Sequence, residues 1–508
     1  MVLVLAVVPI LTIPSWAQSE AASQNSDQQP SSGQMTPQVS IQDDASGATD
    51  EQQSSSSDTA SSSAPSTQPY TLNRPIVAVN LPLKVLGGET RSFFLPGAQI
   101  SAGTDTNQRE GFSSTNTYGT VRGLGSMSLQ KLWSRYDFGA DYIGGLAYLG
   151  YRALDHSILQ TGQVDQHVAW KTGQFEARDL FSYLPDGNFG ASAYGGIPAL
   201  AGLNGSFIGG LIGEGIFSSG QLATLGEQPR INNAVLGDVT QYLSPRSSIG
   251  AVTSYSLTHF TGNQFDLINS WQVVSQASYD YQLNRRDQIA ILYAHQTFRY
   301  PSKIGNDIDT NYVQLLFGHR VSSHIQFIGG AGPEFLHILP AQQCAPTTLS
   351  NGQPGSVCTS SDPINRTTLS ARASLKYNFR ETDLSLSYLR YTTNGSGLFA
   401  GATSNVLRFA ASRPLGRLWG GQAEIGYNTN HRLYSIQGTN SATNFDYLLA
   451  GAGVHRQVTR EVSAFVSLLF TNTSFNQPFC LGSSCGKNSE REVFLLGLDW
   501  HPHPIRLE

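Results

Sequence analysis

The chain has 508 residues, only 13% of them charged, with 51 glycines, 10% aromatic residues and a formal net charge of −5. Charge this sparse beside so much glycine is unlike a soluble globule, and the lack of clustered Lys and Arg argues against a nucleic-acid partner. The negative balance is local: residues 18–73 hold Glu20, Asp27, Asp43, Asp44, Asp50, Glu51 and Asp58 and no Lys or Arg, so the remainder is slightly basic.

Residues 1–17, MVLVLAVVPILTIPSWA, read as a secretory signal peptide, with Ser15 and Ala17 as the small residues before a cut at Gln18. The positive leading region of such a signal is missing, since the first basic residue is Arg74, and this points to a start codon upstream. Residues 18–75 are Ser, Gln, Asp, Thr and Pro with few large apolar side chains. They bury too little to offset the entropy of ordering, which predicts a disordered periplasmic segment. Beyond residue 16 no apolar run approaches the ~18 residues of a spanning helix.

Residues 76–508 carry a different pattern. From Leu369 the alternate residues are Leu369, Ala371, Ala373, Leu375, Tyr377 and Phe379, and between them lie Ser370, Arg372, Ser374, Lys376, Asn378 and Arg380. A polar turn follows, and Leu384, Leu386 and Tyr388 then alternate with Ser385 and Ser387. Period two over about ten residues is a β-strand with different surroundings on its two faces. Tilted, that length crosses a bilayer with one face to lipid and the other to a lumen. Similar segments recur from Ala98–Thr106 to Arg491–His501. Their connections alternate between short turns, such as Ser244–Ser247 and Asn284–Asp287, and long polar loops near 262–270, 300–310, 339–366, 393–404, 429–443 and 472–490. The expectation is an all-β fold: a transmembrane antiparallel β-barrel of 16–18 strands in the cell outer membrane.

Parity constrains one region. With Val164–Ala177 read as one strand, it and Asn232–Leu243 both point toward the short turns, so the Gly-rich insert 180–230 must cross an odd number of times. An extra strand over Phe207–Gln221 satisfies this; a segment plugging the lumen is the rival.

Candidate site residues come from the same alternation. Lumen-facing positions include Arg122, Asp141, Asp165, His167, Lys171, Asp238, Asp280, Arg320, Arg372, Lys376, Arg380, Arg408, Glu424 and Asp499. They read either as a selectivity lining or as ion pairs stiffening the wall. Arg372, Lys376 and Arg380, with Arg408 two strands on, form a candidate anion-attracting ladder. Cys344 with Cys358, and Cys480 with Cys485, each fall in one long loop, and local disulfides are the simplest pairing in an oxidising compartment. Aromatics at strand ends, among them Trp133, Trp271, Trp419 and Trp500, read as interface girdles. No nucleophile–base pair, phosphate loop or zinc spacing is visible, so no enzyme, metal or cofactor is expected. His501–Glu508 reads as a solvated periplasmic tail.

The stretch Phe94-Leu95-Pro96-Gly97-Ala98-Gln99-Ile100-Ser101-Ala102-Gly103-Thr104-Asp105-Thr106-Asn107, with Phe181–Gly187, Tyr281–Asp287 and the ending Pro504–Glu508, resembles β-barrel porins associated with exopolysaccharide biosynthesis in Gram-negative bacteria. The resemblance covers roughly 90–508. It implies an outer-membrane location, the barrel fold and export of polysaccharide. The partners expected of such a barrel are outer-membrane lipid, the barrel assembly machinery, and small solutes or a polysaccharide. It assigns no functional residue. The chain lacks the aromatic final residue common in such barrels, since Trp500 closes the last strand and eight residues follow. The functional expectation is a pore or conduit; the alternative is a non-conducting adhesive barrel whose external loops bind ligands.

Overall fold

A computed structural model describes residues 92–106, 117–149, 156–184, 230–261, 267–301, 307–339, 343–348, 354–359, 362–379, 382–395, 397–434, 442–481 and 484–507. The expected signal peptide, the acidic segment 18–75, the turn residue Arg380 and nearly all of the Gly-rich insert, Phe207–Gln221 included, lie outside the described residues.

The strands in chain order are β1 (Phe93–Thr106), β2 (Thr117–Leu132), β3 (Tyr136–Leu149), β4 (His156–Trp170), β5 (Gly173–Leu184), β6 (Arg230–Ser244), β7 (Ser247–Phe260), β8 (Ser270–Gln282), β9 (Asp287–Arg299), β10 (Asp307–Arg320) and β11 (Ile325–Leu339). A small hairpin, β12 (Gln343–Thr348) and β13 (Pro354–Thr359), stands apart as its own two-stranded sheet. The wall resumes with β14 (Ile364–Phe379), β15 (Thr382–Thr393), β16 (Ala402–Pro414), β17 (Trp419–Arg432), β18 (Asn444–Gln457), β19 (Val462–Leu481) and β20 (Ser484–Trp500). Each strand pairs antiparallel with the next, and β20 pairs back onto β1, Ala98 opposite Trp500 and Asp105 opposite Val493. Among the described residues, eighteen strands thus close into an antiparallel barrel.

Alternation sets what each face meets. On β10, Leu316 is fully buried toward the inside, while its neighbour Leu315 is 66% exposed on the outside, between exposed Val313 and Phe317. In water that outer row would be costly at about 0.8 kcal/mol per CH₂; against lipid it is stabilising. The outer apolar band ends in aromatics near the short turns: Trp133, Trp170, Trp419 and Trp500 are all exposed there, and the Arg456 guanidinium lies 5.2 Å over the Trp419 ring. Inner faces are polar over much of the wall, with buried Ser101, Arg122, Asp141, Asp238, Gln276, Glu334, Arg372 and Asp499.

Several expectations need correction. Val164–Ala177 is not one strand. It spans the end of β4, a two-residue turn at Lys171-Thr172 and the start of β5. The turn carries no Gly, Pro or Asn, so nothing local marks it; Trp170 secures the corner by donating its Nε1–H to Gln241 Oε1 at 3.1 Å. The missing crossing demanded by parity is therefore here. β5 pairs directly with β6 from Gly173–Gln241 to Leu184–Arg230, so the wall requires no strand from the insert. The predicted loop 472–490 is mostly strand: β19 and β20 run on to Leu481 and Ser484, interrupted by a bulge between Ser474 and Phe479. The terminal residues are largely exposed, as a solvated tail is, but they are tied to the wall. Ile505–Arg506 forms a short β21 on the start of β1, Leu507 N donates to Ser92 O at 3.0 Å, and His501 Nε2 meets Asp499 Oδ2 at 2.7 Å. The predicted external loop 393–404 turns inward, as described next.

Candidate functional site: the lumen and the strap across its mouth

The connection from β15 to β16, Asn394–Gly401, reads as a polar loop by its two leading glycines. It carries Leu398-Phe399-Ala400 between glycines, and these three are buried. Its path depends on left-handed backbone at Gly395, Gly397 and Gly401, with φ of 77, 78 and 87°. Left-handed backbone disfavours any residue with a Cβ, and a Cβ at Gly397 would also lie 2.5 Å from the Phe260 ring.

The loop is tied on two sides. Toward β8 to β10, Ile268 N donates to Gly397 O at 3.0 Å, Asn394 Nδ2 donates to Ser270 Oγ at 3.0 Å, and Tyr300 OH donates to Asn394 O at 3.3 Å. Ala400 packs there with Ile268, Phe298, Tyr300, Ile308 and Ile338. Tyr300 lies beyond the end of β9, and burial, aided by the charge of Asp307, pushes its hydroxyl well above the usual tyrosine value. It therefore remains a neutral donor. Toward β17 to β19, Phe399 is fully buried, 5.2 Å from the Phe445 ring and 6.3 Å from Phe479, with the Arg432 guanidinium 5.3 Å over its face. Phe475 and Phe479 stack at 4.7 Å behind it. Leu433 N donates to Gly401 O at 3.3 Å. Strands β8 and β19 stand nine apart in the eighteen-strand wall, so they face each other. A segment gripping both is a strap across the long-loop mouth.

The lumen residues expected from alternation fall out as follows. Arg372 is buried on β14 and contributes a hydrogen bond at the Tyr312 hydroxyl, which also accepts from Gln276 Nε2 at 2.8 Å. Arg408 pairs with Glu424, Nε to Oε1 at 2.8 Å, so this member of the ladder is already matched by a carboxylate on the next strand. Arg320 and Lys376 are half-buried at the short-turn end of β10 and in the lower part of β14. Two inward-facing ion pairs, among the described residues, escaped sequence reasoning. Arg178 meets Glu176 at 2.7 Å within β5, and Arg491 grips Asp105 through Nε at 2.9 Å and a terminal nitrogen at 2.7 Å, both side chains buried. The second pair bridges the closing seam between β20 and β1. Its partners stand 386 residues apart, and only strand register could have joined them.

Other inward polar atoms are buried and have no partner among the described residues: both amide atoms of Asn232 and of Asn428, Thr310 Oγ1, Gln314 Oε1 and Thr120 Oγ1. Buried polar groups without partners are rare in native proteins unless water serves them.

Cys480 and Cys485 form a disulfide across the β19–β20 hairpin tip. In the β12–β13 hairpin Cys344 stands directly opposite Cys358, though their side chains lie outside the described residues. No group of three or more metal-binding side chains occurs among the described residues.

No protein-family model matches the chain, and no curated protein matches it. Solved structures do. The chain is similar to the ferric-catecholate import receptor Fiu of E. coli K12 at 8% identity and a TM-score of 0.39, covering 82% of each chain. It is similar to the outer membrane protein OpdK of Pseudomonas aeruginosa at 12% identity and a TM-score of 0.38, covering 80% of this chain and 98% of that one. It is similar to the FrpB iron transporter of Neisseria meningitidis at 7% identity and a TM-score of 0.36, covering 83% and 84%. Identity and overlap at these levels carry no solute or mechanism from those proteins to this one.

Proposed function

We propose that the protein is an outer-membrane barrel that conducts hydrated solutes through its lumen, with the Asn394–Gly401 strap restricting the outer mouth. The observation that carries this reading is the inner wall. It is polar over much of its extent, beside an apolar patch of Leu292, Leu316 and Ile328 on β9 to β11, and holds amide and hydroxyl groups whose hydrogen-bonding capacity the described residues leave unmet; water meets such capacity. A wall of about 16–18 strands is wide enough for an aqueous channel. In this reading the short turns face the periplasm, together with the N-terminal segment and the C-terminus, and outer-membrane lipid contacts the apolar band after insertion by the barrel assembly machinery. Arg320, Arg372, Lys376, Arg408 and Glu424 line the passage. Its cargo is small solutes; a polysaccharide, the class implied by the resemblance in the opening strand, is the wider alternative. Uptake into proteoliposomes of uncharged sugars from monosaccharide to long oligosaccharide tests this. Entry of the small sugars alone supports the small-solute reading, and entry of the long chains supports the polysaccharide. Entry of neither sinks both.

A second reading, a non-conducting adhesive barrel, is favoured by the β19–β20 hairpin. Its far end carries outward polar pairs, Asn472 with Glu490 at 2.9 Å and Ser474 with Asn488 at 2.9 Å, and a disulfide clasp at its tip. Failure of uptake by correctly folded protein would leave this reading standing.

A further inference from the structure

The charged side chains of the lumen are not spread evenly. On β3 to β6 the inward carboxylates at middle height are Asp141, Asp165, Glu176 and Asp238, with Arg178 beside Glu176; on β14 to β16 the inward cations are Arg372, Lys376 and Arg408, and these four carboxylates and three cations are the seven residues that matter here. Alternation and burial set their direction: Asp141, Glu176, Asp238 and Arg372 are buried, and Asp165 lies over inward-facing Gly139, whose Cβ would meet its carboxylate. In a closed eighteen-strand wall, strands nine apart are opposite. That places β3 against β14, β5 against β16 and β6 against β17. Each of the seven residues sits at or below the midpoint of its strand, so the two groups share a level.

Local pairs reduce this asymmetry without removing it. Arg178 offsets Glu176, and Glu424 offsets Arg408. Arg230 stands at the far end of β6, and Asp137 and Asp383 sit alike at the short-turn ends of the two walls. The β3–β6 wall remains net negative and the β14–β16 wall net positive. Charges of opposite sign on facing walls of low dielectric set up a field across the lumen. A solute with one charge gains at one wall and loses at the other. A solute with separated opposite charges gains at both.

Resting on the pore reading above, we propose that the lumen selects small zwitterionic solutes over neutral or singly charged solutes of the same size. The opposed walls, Asp141, Asp165 and Asp238 against Arg372 and Lys376, determine that specificity.

The test compares β-alanine, a zwitterion, with its uncharged isomer lactamide in proteoliposome swelling. The full-length protein is set beside Lys376→Gln, the Arg372→Gln/Lys376→Gln pair and the Asp141→Asn/Asp238→Asn pair. Heat-modifiable gel mobility checks that each is folded, and Lys376→Gln, at a half-buried position, keeps the test alive if a double variant does not fold. The native protein is expected to admit β-alanine about threefold faster than lactamide. That ratio should fall toward one in every folded variant, with reversal potentials moving toward cations when the basic wall is neutralised and toward anions when the acidic wall is. A native ratio of one, or a ratio unchanged in the folded variants, overturns the proposal. If folded native protein admits neither isomer, the pore reading itself fails and this inference falls with it.

Discussion

Arg491 and Asp105 hold the seam at which the barrel closes, and both are almost wholly buried. Removing one partner strands a buried charge, which costs about 3–5 kcal/mol. Arg491→Ala should therefore lower the unfolding midpoint in denaturant far more than Arg417→Ala in an exposed short turn, and the Asp105→Asn/Arg491→Gln pair should recover part of the loss. Equal effects of the two single changes would show that the seam pair contributes little. A second residue-scale prediction concerns Tyr300. Its hydroxyl titrates above the ordinary value of 10.0 because it is buried and near Asp307. A group whose folded value is raised stabilises fully below its unfolded pKa and loses that contribution as pH climbs toward the folded one. The strap should stay anchored up to about pH 10 and loosen above it, read as a rise in open-channel current. Tyr300→Phe, which deletes one hydrogen bond of about 1 kcal/mol, should show the rise already at neutral pH. A flat current in both proteins across the range would remove Tyr300 from the gate.

At the scale of the element, the two faces of one strand make opposite demands. Arginine in place of Leu315 on the lipid side of β10 should destabilise the barrel by about 2–4 kcal/mol, whereas Gln314→Ser on the lumen side should cost much less; similar losses would contradict the assignment of faces. The β19–β20 tip offers a contrast. Its disulfide closes a loop of sequence separation 5, so reduction should expose the tip to protease and leave barrel unfolding unchanged. Much of this architecture is legible in the sequence, because alternation such as Leu369 to Phe379 reports two solvents directly. The turn at Lys171-Thr172 was not legible, since neither residue is a turn former and the β4–β5 corner is held by Trp170 reaching Gln241 on β6. The strap was misread for a related reason: its glycines signal a loop, and the direction of that loop depends on phenylalanines on β18 and β19. The triplet Leu398-Phe399-Ala400 between glycines was the available clue. The ladder was read from one side only, because Glu424 beside Arg408 and the acidic wall opposite appear only once strands have neighbours.

For the whole molecule, three features combine. The outer face is apolar at mid-height and aromatic near the short turns, the inner wall is polar and charged over much of its extent, and one loop bridges opposite sides of the mouth. The first suits lipid and the second suits water; in the proposed reading the third sets how much of the lumen is open. The most direct test is single-channel conductance in a planar bilayer, comparing native protein with a variant in which residues 395–400 are replaced by a two-residue linker. The account predicts small steps from the native protein and clearly larger ones from the variant, both proteins folded by heat-modifiable mobility. Equal steps from the two would show that the strap does not restrict the passage, and silence from both would contradict a conducting lumen.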